Sequence, residues 1–227
     1  MVTHTRIALG AAFANLADDS AMSLLGSLLH RDALVDVYLG LKHYRRQRGL
    51  PWFIGKQTRL AIPREVGPSY LPVPDLFIHS TLGPSLLATL PVSHYGPPTL
   101  VIEVVSGTML MDNDLRVGIA GGKAAAYAAS GVAEYLVFDP CGDFISENVA
   151  AWRFGPTGEC VPWEPDSQQR WVSSLGISFA PHYARLLVYD ETGELLPSYE
   201  ELADECAEQE RQLAKSQEAL RRLQGTG

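Results

Sequence analysis

Among the residues whose chemistry could be put to use, two acids stand out. Glu103 lies inside the run Thr99–Val105, TLVIEVV, which is otherwise built to avoid water. An uncompensated carboxylate buried there is costly, so a partner of opposite charge is expected. Asp75 opens a second β-forming run directly after Pro74. If the two runs are adjacent strands of one sheet, both carboxylates come to one edge, where a divalent cation offsets their repulsion. Carboxylate oxygens and water are the donors Mg2+ prefers. Each acid also has an ordinary alternative: Asp75 as the cap of a turn after proline, and Glu103 in a buried pair with an arginine or lysine.

The elements that must position these acids follow from apolar spacing. Leu24, Leu25, Leu28, Leu29, Leu34, Val37, Leu41 and Tyr44 recur at helical spacing between about residues 20 and 48, with no proline until Pro51. This predicts a long amphipathic helix. Its last turns carry Lys42, His43, Arg45, Arg46 and Arg48, as a solvated basic end that complements the helix dipole or as a phosphate-contacting patch. Short β-forming runs follow at 58–62, 75–79 and 99–105, divided by proline- and glycine-rich turns. TLVIEVV suits a central strand buried on both faces. A helix is expected over about 115–130, closed by Gly131, and EYLVFD reads as the next strand. Mixed β and loop continues through SENVAAWRF, CVPW, RWVSS and ARLLVYD. The order of helix, three strands, helix and strand predicts a mixed α/β (α+β) sandwich rather than a doubly wound sheet.

From about residue 198 to 223, Leu202, Cys206, Gln209, Leu213, Ser216, Leu220 and Leu223 alternate in steps of four and three. That is heptad spacing with two polar interruptions, read either as a short coiled coil that pairs subunits or as a solvated terminal helix. The expected division is an N-terminal arm at 1–19, a folded domain at 20–197 and the C-terminal helix at 198–227.

The chain has 227 residues and 46% hydrophobic content, enough for a core without disulfides or structural metal. Cys141, Cys160 and Cys206 match no disulfide framework and no CxxC site, so free thiols in a reducing, cytoplasmic compartment are expected. No apolar run approaches the roughly 20 residues of a membrane span. The formal net charge of −8 opposes non-specific nucleic-acid binding. From Tyr189 onward, however, ten acids face four bases, so the tail carries −6 and the preceding body only −2.

PDLFIH, PPTLVIEVVS and GGKAAAYAASGVAEYLVFDP occur in that order, after HRDALVDVYLGLKHYRRQRGLPWFIG. This set resembles the Uma-type restriction-endonuclease family of the PD-(D/E)XK nuclease superfamily, over about residues 25 to 223. The resemblance implies a restriction-endonuclease-like core and a Mg2+-dependent endonuclease (Mn2+ as substitute) acting on DNA. It implies metal held by Asp75 and Glu103, with the backbone carbonyl of Val104 completing the coordination. The superfamily's lysine usually lies two residues after the glutamate, where this chain has Val105; in this family it matches Lys123, on the following helix. The ordinary reading of Lys123 is a surface lysine near a helix start, and Tyr127, one turn on, suits the core as well as the site. His30 resembles a histidine of the family's first helix, although a single histidine on such a helix is more often structural. Asp112 and Asp114 lie in the glycine-rich connection before Lys123, and neither can be given the place of the family's further acid.

Such a trio has a direct chemical rationale. Phosphodiester hydrolysis needs a nucleophilic water at neutral pH and a cation for the charge on the phosphorus oxygens, both of which a carboxylate-bound metal supplies. A nearby ammonium adds counter-charge or orients the water. Other catalytic patterns are thin: Ser106 has no GxSxG frame, no HExxH occurs, and no phosphate-loop spacing is present. The rival reading is a degenerate nuclease-fold protein acting as a DNA-binding or assembly module. For an enzyme with one site per chain, a homodimer is the simplest way to cut both strands.

Overall fold

The computed structural model describes residues 19–64, 67–85, 87–105, 122–156 and 159–224. The expected N-terminal arm lies almost wholly outside these residues, as do Asp112, Asp114 and the beginning of the helix expected over 115–130.

The first helix, α1 (Asp19–Arg48), turns one stripe inward: Ala33, Leu34, Val37, Leu41 and Tyr44 are all buried. It ends where Gly49 takes a positive φ of 62°, a left-handed stop that costs glycine little. Four strands then follow, β1 (Phe53–Lys56), β2 (Arg59–Ala61), β3 (Leu76–His79) and β4 (Thr89–Pro91). After a single-turn helix α2 (Val92–Tyr95) come β5 (Leu100–Val104), α3 (Lys123–Ser130) and β6 (Glu134–Phe138). The remaining elements are β7 (Val149–Phe154), β8 (Cys160–Pro162), β9 (Trp171–Val172), β10 (Ser178–His182), β11 (Arg185–Tyr189) and α4 (Tyr199–Gln224).

A six-stranded mixed sheet runs in the order β1-β3-β5-β6-β7-β8. Only β5 and β6 are parallel; the other pairs are antiparallel. Every residue of β3, β5 and β6 is buried, which explains their nearly continuous apolar sequences: both faces are covered. On one face α1 packs with Leu76, Ile78, Ile102 and Leu136, and the three-stranded sheet β11-β10-β9 joins the same core through Trp171, Phe179 and Leu186. On the other face Ala124 and Tyr127 of α3 pack with Phe77, Val101, Tyr135 and Val137.

The core order of α1, β1, β3, β5, α3 and β6 is the helix, three strands, helix and strand expected from the sequence. The membership of the three strands differs in one respect. The run 58–62 does not enter the main sheet; β2 pairs in parallel with β4, while β1 takes the edge position. The short β1 is held by Gly55, where an added Cβ would come within 2.4 Å of the Phe77 ring. Strand β10 has no counterpart among the expected runs. The C-terminal helix opens with a capping box: Ser198 N–H donates to Glu201 Oε2 at 2.8 Å, and Glu201 N–H donates back to Ser198 Oγ at 3.3 Å. The Tyr199 N–H donates to Asp36 Oδ1 at 3.0 Å, tying this end to α1.

Candidate active site

In the β3/β5 register Leu76 faces Ile102 and Phe77 faces Val101, so the next step sets Asp75 opposite Glu103. Directly opposed residues of antiparallel strands lie about 4.5–5.5 Å apart at Cα. The pairing is reciprocal. The Asp75 N–H donates to Glu103 Oε2 at 3.2 Å, and the Val104 N–H donates to Asp75 Oδ2 at 2.9 Å. The sequence places both acids at one sheet edge if their strands are neighbours, and the structure brings them to one strand end.

Helices from opposite faces of the sheet complete the group. From α3, Lys123 Nζ lies 3.2 Å from Glu103 Oε1, and the Tyr127 hydroxyl donates to the same oxygen at 2.9 Å. Lys123 is the first residue of its helix and Tyr127 lies one turn on, so both project from one face toward the strand end. Glu103 is 2% exposed, and these partners compensate its burial. Its ordinary alternative, a buried pair with a base, is therefore realised, with Lys123 as the base. Tyr127 serves in both ways open to it, packing in the core and bonding to the acid.

From α1, His30 Nε2 stands 3.5 Å from Asp75 Oδ1. The hydrogen bond to Asp75 raises the histidine pKa most, opposed by burial; the Asp75 charge and a backbone hydrogen bond with Val104 raise it further, and Lys123 lowers it. His30 thus stands over Asp75 from the face opposite α3. Among the described residues His30 Nδ1 is buried without a hydrogen-bond partner, which is unusual for a purely structural imidazole. Its sequence signal is weak, because an imidazole one turn above a buried stripe looks like any helical histidine.

Two carboxylates and a peptide carbonyl form an oxygen donor set suited to Mg2+ or Mn2+. Among the described residues no three His, Cys, Asp or Glu side chains are grouped as a metal site, so a bound ion would rely on that carbonyl and on water. The donor chemistry fits a hard cation.

Two lysines share one aromatic ring of α1. Lys42 and Lys56 approach the same Tyr38 ring, at 5.0 and 5.6 Å from its centroid. Among the described residues no carboxylate pairs with either lysine. Lys56 immediately precedes Gln57, whose N–H donates to the Asp75 carbonyl at 3.0 Å, so the backbone of Lys56 lies one residue from the pairing partner of Asp75.

No curated protein matches the chain. A solved structure of a putative nuclease belonging to DUF820, from Anabaena variabilis, is similar at 15% identity and a TM-score of 0.41, over 61% of this chain and 69% of that one. The model of the Uma2 family, described as "Putative restriction endonuclease", matches residues 20–197, and with more than half its length so matched, the chain belongs to the Uma2 family.

Proposed function

We propose that the protein is a divalent-metal-dependent endonuclease that hydrolyses phosphodiester bonds of DNA. The observation that carries this reading is the opposition of Asp75 and Glu103 across two strands, with Lys123 3.2 Å from the second acid. Asp75, Glu103 and the Val104 carbonyl would hold Mg2+ or Mn2+. When bound, the cation supplies an activated water and takes up charge on the phosphorus oxygens.

The chain's own residues have distinct tasks. The Tyr127 hydroxyl and the Asp75 N–H fix the Glu103 carboxylate, so its orientation is set before substrate arrives. The Lys123 ammonium, 16% exposed, provides positive charge where negative charge grows on the phosphate. His30 orients Asp75 from the opposite face. Lys42 and Lys56 supply counter-charge to the nucleic-acid backbone, which compensates locally for an acidic chain.

One observation favours a second reading, a degenerate nuclease-fold module that binds or assembles without cutting. The two acids already have side-chain partners, Lys123 at 3.2 Å from Glu103 and His30 at 3.5 Å from Asp75, so neither carboxylate is left bare without a cation. Plasmid nicking with Mg2+ or Mn2+, run on the wild type and on Asp75→Asn, which keeps an acceptor for the Val104 N–H, separates the two. Metal-dependent cutting that disappears in the variant supports the enzyme. DNA retained on a filter without cutting, and no heat of metal binding in calorimetry, supports the module. Cutting equal in both proteins defeats the assignment of this site.

We place the protein in the cytoplasm on the ground that Cys141, Cys160 and Cys206 are all exposed free thiols, as a reducing compartment permits. No described helix is long and apolar enough to cross a membrane.

A further inference from the structure

Helix α4 leaves the body soon after it begins. Leu202 is half-buried, but from Ala203 to Arg222 nearly every side chain is exposed, with Leu213 at 59% and Leu220 at 57%. At about 1.5 Å per residue its 26 residues extend roughly 39 Å. Helices in proteins owe most of their stability to packing of one face, which this one lacks within its own chain, and its seam of Leu202, Cys206, Gln209, Leu213, Ser216 and Leu220 lies along one side.

Charge along α4 is strongly divided. Through residue 210 it has six acids (Glu200, Glu201, Asp204, Glu205, Glu208, Glu210) and no base. Beyond that point Arg211, Lys215, Arg221 and Arg222 face only Glu218. Some of this charge is paired within the helix, as in Arg211–Glu208 at 2.8 Å and Arg222–Glu218 at 3.0 Å, yet the first half remains net negative and the second net positive. A second copy laid alongside in reverse meets its opposite at both ends, and the helix dipoles oppose as well.

We propose that α4 pairs with α4 of a second copy of this chain as an antiparallel two-helix coil. This dimer is independent of the nuclease chemistry. Seam positions meet as Leu202 with the partner's Leu220, Cys206 with the partner's Ser216, and Gln209 with the partner's Leu213, around a two-fold axis at Arg211. One like-charge contact remains, Glu210 against the partner's Glu210 across the axis. The parallel in-register alternative sets Glu205 against the partner's Glu210 twice, aligns acidic half with acidic half, and stacks Cys206 on the partner's Cys206. The antiparallel arrangement has fewer repulsions and places the two bodies at opposite ends.

Cysteine chemistry reads the orientation. The full chain carrying Cys141→Ser and Cys160→Ser, both at exposed positions, retains only Cys206. Sedimentation equilibrium is expected to give twice the monomer mass in the micromolar range. Leu213→Glu with Leu220→Glu should weaken the dimer at least about 100-fold, leaving circular dichroism of the body unchanged. Mild oxidation of the Cys206-only chain should give no covalent dimer. Adding Ser216→Cys should give one whose tryptic peptides link residue 206 to residue 216. The proposal is overturned by a monomer throughout that range, by a dimer indifferent to the two leucine exchanges, by a 206–206 disulfide in the Cys206-only chain, or by a dimer in which 206 and 216 do not link.

Discussion

Replacing Lys123 with Met and Glu103 with Gln, singly and together, separates what this pair does for the fold from what it does for chemistry. At 3.2 Å the pair attracts by about 5 kcal/mol for an effective dielectric near 20. Burial of Glu103, 2% exposed, offsets much of that gain. Lys123→Met removes the cation and keeps the buried acid, a loss of about 3–5 kcal/mol. Glu103→Gln keeps a hydrogen-bond acceptor for Tyr127 and Asp75, and Lys123 can turn to water, so about 1–2 kcal/mol is expected. The double variant removes both charges from a site of unchanged volume and should return to within about 1 kcal/mol of wild type, a coupling of about 3–7 kcal/mol. Urea melts followed by the fluorescence of the four tryptophans measure all three variants, and plasmid nicking is run on the same samples. Nicking should be lost in each, including the restored double. Additive stability changes would refute the pairing as described. A double variant that cuts at the wild-type rate would refute the role of both residues in chemistry.

Two further outcomes follow from other parts of the molecule. Lys42→Glu with Lys56→Glu should weaken DNA binding and lower the slope of log affinity against log salt by about 2, roughly one for each phosphate no longer neutralised; a fluorescence-anisotropy titration at several salt concentrations with an unchanged slope would remove these lysines from the substrate path. Tyr44 is pushed up to about 12, first by burial and then by its hydrogen bond to Glu191. A raised folded-state value means its contribution is fully present below the unfolded pKa near 10 and is lost as pH climbs from there to about 12. Tyr44→Phe should lack this part of the alkaline loss in urea midpoints between pH 9 and 12, and identical curves for the two proteins would contradict it.

The central strands are legible because burial on both faces leaves a nearly continuous apolar run, and an acid inside such a run stands out. Glu103 and Asp75 are readable for that reason. Lys123 is not readable from spacing: nothing local says that an amine at a helix start will turn toward a strand end 20 residues earlier, and only the ordered resemblance points to it. His30 reads as structural since helical periodicity identifies the face a residue occupies, not what lies over its end. Apolar spacing does not show the edge strand β1, because it is short and carries Gly55, whose reason is the Phe77 ring across the pair; the resemblance, whose first strand falls at PWFIG, does point to it. Arg59–Ala61 looks like a member of the main sheet, yet its parallel partner is the proline-terminated Thr89–Pro91, a pairing that depends on chain path rather than on local preference.

The crossed main-chain bonds of the two acids give them a second duty. Each carboxylate ties down the other strand through its N–H, so together they act as a clasp against a slip of one residue, which would turn every side chain of β3 to the wrong layer. Truncation to alanine therefore unfastens the sheet while it removes the acid. Amides in place of both carboxyls would keep oxygen acceptors for the two N–H groups, and such a decoy is the form best suited to holding DNA intact for crystallisation.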